Sequence, residues 1–237
     1  MRNLSVILVA AGSSSRMGFD KLFAPLNGHP VLWYSIRAFA FLDEVSELIV
    51  VTRAERVAEV ERLLRDAAPN KPSRVVLGGS ERHLSVWEGL KAVLPERAQY
   101  VAIHDGARPL ITSNAIVGCL ALATECGAAC CAVPIPDTVK RADASGMVSE
   151  SVDRTGLWAM QTPQIFAVDL IRAAYEEILG KNEVVTDEVS AVQGIGSRVA
   201  LYLNPDWNFK ITFPMDITRA EQLMSVGHAG VQQEVLR

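Results

Sequence analysis

The chain has 237 residues and a formal net charge of −4, with 49% hydrophobic and 21% charged residues, which is typical of a water-soluble globular protein with a substantial core. The acidic balance argues against a nucleic-acid binder, and no apolar run reaches the roughly 18 residues that a membrane-spanning helix needs. Its four cysteines show neither paired Cys-x-x-Cys metal spacing nor the density of a disulfide scaffold.

Short apolar runs alternate with amphipathic segments along the chain, a pattern typical of repeated β-α units. We predict strands over residues 4–10, 45–52, 74–77, 100–104, 129–133 and 199–203. We predict a first helix that begins at Pro30, and further helices over residues 54–67, 80–93 and 112–127. No repeat, low-complexity tract or linker divides the chain, so we predict one domain over residues 1–237.

A loop of small residues with two cations follows the first predicted strand. Gly12 ends the apolar run, three serines follow, and Arg16 and Lys21 come next. Small residues let a triphosphate approach backbone amides, while arginine and lysine neutralise its charge. The spacing fits neither the Walker A motif nor the dinucleotide fingerprint. The sequence therefore predicts a phosphate-binding loop, with a flexible turn as the alternative.

The first residues also imitate a short secretory signal, because Arg2 precedes an apolar stretch that ends in small residues. The charged part would be a single arginine, and cleavage would delete the first strand of the predicted sheet. We therefore expect a cytoplasmic protein.

Charged residues also follow the strand predicted over residues 100–104, where an open α/β sheet binds ligands. Asp105 is a candidate Mg²⁺ ligand, because this ion prefers a few carboxylate oxygens together with substrate phosphates. Arg108 could pair with Asp105 or touch a nucleotide. Alternatively, Asp105 caps the next turn. We expect His104 to support the loop.

Three further segments carry weaker indications. Gly78 and Gly79 permit close approach to a flat base, and Ser80 or Ser85 could bind its edge, although Ser80 could be a plain helix cap. We predict a late strand over residues 210–212, whose cation and hydroxyl suit a second phosphate. The segments 162–164 and 186–188 resemble loop or capping signals.

The interval 134–158 breaks the alternation of strands and helices. Residues 138–141 and 147–152 flank a turn at Ser145 and Gly146, which predicts a projecting β-hairpin arm. An isolated hairpin is marginal in water, so we expect the arm to pack on a second subunit in a homodimer. The alternative is an arm that folds back on its own domain.

Eight motifs occur in order along the chain. They are Ala-Ala-Gly-x-x-x-Arg-Met at 10–17, Gly-Gly-x-x-Arg at 78–82, His-Asp-x-Ala-Arg-Pro at 104–109, Asp-Thr-Val-Lys-Arg at 137–141, Val-Asp-Arg-x-Gly-Leu-Trp at 152–158, Thr-Pro-Gln at 162–164, Thr-Asp-Glu at 186–188 and Asn-x-Lys-x-Thr at 208–212. From the first strand to about residue 223, the chain resembles the 2-C-methyl-D-erythritol 4-phosphate cytidylyltransferase family of the non-mevalonate isoprenoid pathway.

The resemblance implies a Rossmann-like nucleotidyltransferase fold, with a mostly parallel sheet flanked by helices and a projecting arm that dimerises. It implies transfer of CMP from CTP to 2-C-methyl-D-erythritol 4-phosphate, with Mg²⁺ as the metal and pyrophosphate as the second product. The substrate phosphate would attack the α-phosphorus of CTP in line. Neither nucleic acid nor membrane is an expected partner.

The resemblance also implies roles for individual residues. It implies that Arg154 reaches the methylerythritol phosphate from the arm of the partner subunit. The catalytic residues would be Arg16, Lys21 and Lys210. The nucleotide would lie against Ala10, Ala11, Gly12, Gly79, Ser80, Ser85, Asp105 and Ala107. The methylerythritol phosphate would lie against Asp105, Arg108, Thr138, Arg154, Thr162, Lys210 and Thr212, and the metal would lie on Asp105.

Two departures from the family pattern accompany this resemblance. Asp20 stands where a proline usually precedes the lysine, which adds an anion near the triphosphate, and Ser80 stands where many members carry an acidic residue. One alternative is a ribitol-5-phosphate cytidylyltransferase, although residues 152–158 match the methylerythritol family better. Another is a non-catalytic nucleotide-binding regulator of the same fold, and a molybdopterin-type guanylyltransferase shares only the opening loop.

Overall fold

The computed structural model describes residues 3–12, 18–94 and 96–231, the last five of these without side chains. A seven-stranded sheet forms its centre. The strands of this sheet are β1 (Leu4–Val9), β4 (Val45–Thr52), β5 (Ser73–Leu77), β6 (Tyr100–Asp105), β7 (Ala128–Pro134), β10 (Trp158–Ala167) and β11 (Ala200–Leu203). Two small hairpins stand apart from it and consist of β2 (Pro25–Leu26) with β3 (His29–Pro30), and β8 (Val139–Ala142) with β9 (Val148–Val152).

Helices cover both faces of the sheet. They are α1 (Val31–Ala40), α2 (Val57–Ala67), α3 (Arg82–Ala92), α4 (Ser113–Cys126), α5 (Val168–Gly180), α6 (Glu188–Gly194) and α7 (Pro214–Val231), with a 3₁₀ turn over Ala54–Arg56. Leu8 packs in the core that includes α1, α2 and α4, whereas Ile7 packs in the core that includes α3, α5 and α6. A strand covered on both faces is a continuous apolar run, which is why β1 is so hydrophobic.

The strand order is β11-β7-β10-β6-β1-β4-β5. All neighbours are parallel except β10, which runs antiparallel to both β6 and β7. This confirms the predicted α/β fold with a mostly parallel sheet flanked by helices. No helix within the described ranges is long and apolar enough to cross a membrane.

The register of the central strands brings the predicted site loops together. Val9, the last residue of β1, pairs with Asp105 on β6 and with Val51 on β4. The loops that leave β1, β5 and β6 therefore start at one edge of the sheet, where open α/β sheets bind ligands.

The largest errors of prediction lie in the second half of the chain. Residues 162–164 are not a loop, because they lie inside the ten-residue strand β10, and α5 and α6 follow it. Residues 210–212 do not form the predicted strand either. The amide of Ile211 donates a single hydrogen bond, of 2.8 Å, to the carbonyl of Ala107, but no strand ladder forms there.

The predicted hairpin is confirmed, since β8 and β9 pair antiparallel. Asp143 stabilises its turn, where the carboxylate accepts hydrogen bonds from the amides of Ser145 and Met147 at 2.9 and 3.1 Å. The Ser145 hydroxyl donates to the same oxygen at 2.6 Å, and together with the two amides it lowers the pKa of Asp143. The two strands bond to each other and not to the main sheet, and nearly all their residues are exposed.

Candidate active site

A buried carboxylate surrounded by cations lies at the end of β6. The Oδ2 oxygen of Asp105 is 3.1 Å from Nζ of Lys210 and 3.4 Å from Nε of Arg108, and its Oδ1 oxygen is 3.4 Å from Nη2 of Arg82. Burial alone would raise the pKa of Asp105, but Arg82, Lys210 and Arg108 outweigh it and hold this pKa well below its usual range. Asp105 is therefore an anion at every physiological pH.

Thr162 and His104 fix the position of Asp105. Its backbone amide donates to Oγ1 of Thr162 at 3.1 Å, and this hydroxyl also pairs with Nδ1 of His104 at 3.0 Å. Nε2 of His104 contacts the carbonyl of Arg108 at 3.2 Å. Burial lowers the pKa of His104 to about 4, so its ring is neutral and supports the loop, as expected. Thr162 is buried, and its hydroxyl serves this network.

The loops after β1 and β5 touch each other. A Cβ added at Gly78 would lie 2.6 Å from Cβ of Ala11 and 2.8 Å from Oγ of Ser85, so the close approach requires glycine here. The Ser85 hydroxyl donates to the carbonyl of Glu81 at 3.0 Å, and Ser80 is exposed. Ser80 is not the helix cap, since Glu81 occupies that position before α3.

The segment 208–212, which contains Lys210, lies against Lys21 and Arg108 at the site. Lys21 donates from Nζ to the carbonyl of Ile211 at 2.7 Å, and Arg108 donates from Nη1 to the carbonyl of Asn208 at 2.7 Å. These bonds bring Lys21, Arg108 and Lys210 to the edge where Ala10, Gly12 and Ala107 lie. Thr212 follows on the same segment, and its hydroxyl donates to the carbonyl of Lys210 at 3.0 Å. Arg16 lies outside the described residues.

Asp20 does not present a free negative charge to this edge. Its Oδ2 oxygen lies 2.5 Å from Nη2 of Arg53 and 3.1 Å from Nε of Arg56. Arg56 in turn lies over the ring of Phe23, 4.4 Å from its centroid. The negative charge of Asp20, which we expect near the phosphates, is thus paired with two arginines.

Several residues of this network received no role from the sequence. Arg82 binds Glu188 as well as Asp105, and Gln164 accepts the amide hydrogen bonds of Glu188 and Val189 at 3.1 Å each. Although burial lowers the pKa of Arg82, the carboxylates of Glu188 and Asp105 raise it above its usual value. Arg82, Gln164 and Glu188 belong to the motifs at 78–82, 162–164 and 186–188. Their place in these motifs was the only indication in the sequence that they belong to the site.

Two predicted substrate residues lie apart from this cluster. Thr138 and Arg154 are exposed at the base of the arm, where Arg154 donates to the carbonyl of Pro136. Within the parts of the chain that the structure describes, no hydrogen bond or ion pair joins either residue to Asp105.

The family model for 2-C-methyl-D-erythritol 4-phosphate cytidylyltransferase matches residues 4–226. The chain belongs to this family. The cytidylyltransferase of Caldanaerobacter subterraneus subsp. tengcongensis is 40% identical over 222 residues, which cover 92% of this chain and 97% of that protein. That of Prochlorococcus marinus is 40% identical over 225 residues, covering 94% and 99% respectively.

Solved structures agree with this membership. The 4-diphosphocytidyl-2C-methyl-D-erythritol synthase of Anaerococcus prevotii superposes with a TM-score of 0.82 at 29% identity, covering 94% of this chain and 99% of the other. The 2-C-methyl-D-erythritol 4-phosphate cytidylyltransferase of Thermus thermophilus gives 0.75 at 28% identity, covering 92% and 98%. As a member of the family, the chain is an enzyme of the nucleotidyltransferase class.

The donor set at Asp105 fits one kind of metal site. No group of three or more His, Cys, Asp or Glu side chains is placed to hold a metal among the described residues. One ionised carboxylate at the sheet edge is nevertheless what Mg²⁺ uses when substrate phosphates supply most other ligands. Asp105 thus fits a metal that arrives with a nucleotide.

Proposed function

We propose that this chain transfers CMP from CTP to 2-C-methyl-D-erythritol 4-phosphate, giving 4-diphosphocytidyl-2-C-methyl-D-erythritol and pyrophosphate. Membership in the cytidylyltransferase family supports the reaction and its two substrates. The observation that carries the assignment to a site is the convergence of Lys21, Lys210 and Arg108 with Asp105 at one edge of the sheet.

The chemistry requires charge neutralisation more than proton transfer. The substrate phosphate is already an anion at neutral pH, so it can attack the α-phosphorus of CTP in line without a general base. Charge then develops on the leaving pyrophosphate. Preorganised cations stabilise such charge, and this is the role that we propose for Arg16 and Lys21 on CTP and for Lys210 at the attacking phosphate. Arg108 and Thr212 would hold that phosphate beside Lys210.

The cytosine would lie against the loop after β5. Gly79 packs closely against the start of α3 there, since a Cβ at this position would lie 2.5 Å from Cβ of Leu84. Ser80 is exposed and Ser85 bonds to backbone carbonyls, so we propose that backbone groups read most of the base. Ala10, Ala11 and Gly12 would line the path of the triphosphate.

Asp105 would hold Mg²⁺, together with phosphate oxygens of CTP. When bound, the ion supplies positive charge to the phosphates and orients them. The protein's own contribution is to keep Asp105 ionised and fixed, through the surrounding cations and through Thr162.

We also propose that the enzyme is a cytoplasmic homodimer in which the arm completes the neighbouring site. The exposed hairpin supports this, because two strands without further packing are marginal in water. In the dimer, Thr138 and the partner subunit's Arg154 would reach the methylerythritol phosphate. Each site would then depend on two chains.

Substrate choice tests the proposal. Pyrophosphate release is measured with CTP, Mg²⁺ and either 2-C-methyl-D-erythritol 4-phosphate or ribitol 5-phosphate, and then with UTP, ATP or GTP in place of CTP. We expect a strong preference in kcat/KM for CTP with the methylerythritol phosphate. A preference for ribitol 5-phosphate would keep the chemistry and overturn the substrate, and no release with any pair would favour a nucleotide-binding regulator.

A further inference from the structure

Two carboxylates share the guanidinium of Arg82, and they bind it at different distances. Glu188 accepts from Nη1 at 2.6 Å and from Nη2 at 3.1 Å. Asp105 receives only long contacts of 3.4 Å, from Nε and Nη2 to its Oδ1 oxygen. Charge-assisted N–H···O bonds are usually about 2.7–2.9 Å long. Arg82 therefore binds Glu188 strongly and Asp105 weakly.

The position of the Glu188 side chain is fixed, so this carboxylate cannot shift together with Arg82 toward Asp105. Its side chain is fully buried, and Oε1 also accepts a hydrogen bond of 3.1 Å from the Tyr175 hydroxyl. Its backbone amide donates to Gln164 on β10, a residue that pairs with Ile103 on β6. The same two strands thus set the positions of both Glu188 and Asp105.

We infer that Glu188 is a positioning residue, which holds Arg82 back from Asp105 so that the Oδ1 oxygen of Asp105 stays available to the metal that accompanies CTP. This inference rests on the proposed function, since it assumes that Asp105 acts beside the phosphates. Without the charge of Glu188, the guanidinium would turn to Asp105, its remaining carboxylate, and compete with the metal. Loss of such a supporting group typically costs about tenfold to a hundredfold in metal affinity or activity.

Three variants separate this role from a purely structural one. Glu188→Gln removes the charge but keeps the shape, and Tyr175→Phe removes the other side-chain hydrogen bond to the same oxygen while leaving the charge in place. The double variant Arg82→Met/Glu188→Gln removes both the restraint and the group that it restrains. For each, the readouts are kcat, the Mg²⁺ concentration that gives half-maximal velocity, the calorimetric affinity for CTP with and without Mg²⁺, and the Tm.

We expect Glu188→Gln to raise the half-saturating Mg²⁺ concentration by about tenfold or more, and to reduce the gain in CTP affinity that Mg²⁺ gives. Tyr175→Phe should lower the Tm and leave both readouts near the wild-type values. In the double variant the competing cation is gone, so the Mg²⁺ requirement should fall back toward that of the wild type.

The inference is overturned if Glu188→Gln and Tyr175→Phe change the Mg²⁺ requirement equally, or if the double variant requires as much Mg²⁺ as Glu188→Gln. A wild-type chain without turnover would contradict the proposed function instead. In that case the calorimetric comparison of the variants still decides for or against the role of Glu188.

Discussion

Asp20, the residue before Lys21, forms an ion pair of 2.5 Å with Arg53, the residue after β4, and this pair joins the segment after the predicted phosphate-binding loop to the central sheet. Both side chains are mostly buried, and Arg56 binds the same carboxylate oxygen. Asp20 therefore anchors the backbone that carries Lys21. These two ion pairs give Asp20 a structural role in this chain.

We predict that Asp20→Asn loosens this anchor. The loss of a partly buried charged hydrogen bond should lower the free energy of unfolding by about 1–2 kcal/mol, and kcat should fall because Lys21 is less well placed. Glu55→Gln is the matched control, because Glu55 also pairs with Arg53, at 3.1 Å, but is largely exposed. Denaturant unfolding and steady-state kinetics check both variants. Equal effects of the two substitutions would refute the anchoring role.

We predict that Lys21→Ala lowers kcat by about a hundredfold or more, the scale of losing one preorganised charge contact to a transition state. Lys91→Ala is the control, since Lys91 is a half-exposed lysine that pairs with Glu88 on α3. Pyrophosphate release under saturating CTP measures the effect. Wild-type turnover in Lys21→Ala would remove this residue from the site.

We predict that the free energy of unfolding decreases as the pH falls, because of His104. In the unfolded chain this histidine has its ordinary pKa near 6.5, whereas burial lowers the pKa in the folded chain to about 4. Between these two values the unfolded state binds more protons, so the free energy of unfolding decreases as the pH falls. The decrease should reach about 3 kcal/mol. Denaturant unfolding from pH 7 to pH 4 checks this in the protein without nucleotide, and His104→Gln should show a smaller decrease. An equal decrease in both proteins would assign the loss to other groups.

Much of this arrangement could be predicted from the sequence. Strands β1, β4 and β6 are short, mostly apolar runs, and that pattern is typical of central parallel strands. Asp105 was a candidate because it directly follows such a run. The hairpin at 138–152 was equally clear, since alternating residues flank a turn that contains Gly146.

The pairing of β10 could not be predicted locally. This strand carries Thr162, Pro163 and Gln164 in its middle, and proline in a strand usually indicates an edge or an irregularity. Pro163 lies at a register shift between Met160 and Gln164, so β10 accommodates the proline inside the sheet. The contacts of Glu188 and Gln164 depend on the pairing of β10 with β6 and β7. Local patterns in a single sequence do not indicate this pairing.

We predict that Arg154 acts on the site of the other subunit. Arg154→Ala should bind CTP normally and fail to use the sugar phosphate, and Lys21→Ala should also be nearly inactive. If both residues serve one site across the dimer, mixing and exchanging the two variants creates heterodimers with one intact site, so about a quarter of the wild-type activity should return. Assays before and after subunit exchange measure this. If no activity returns although the subunits exchange, Arg154 acts within its own chain or has no role.

The most direct test of the whole account is pyrophosphate release from CTP by the wild type and by Lys210→Ala, each with and without 2-C-methyl-D-erythritol 4-phosphate. Lys210 lies 3.1 Å from Asp105, at the point where the two substrates are proposed to meet. We predict release by the wild type only when both substrates and Mg²⁺ are present, and release that is slower by about a hundredfold or more in the variant. No release by the wild type, or equal rates in the two proteins, would contradict the account.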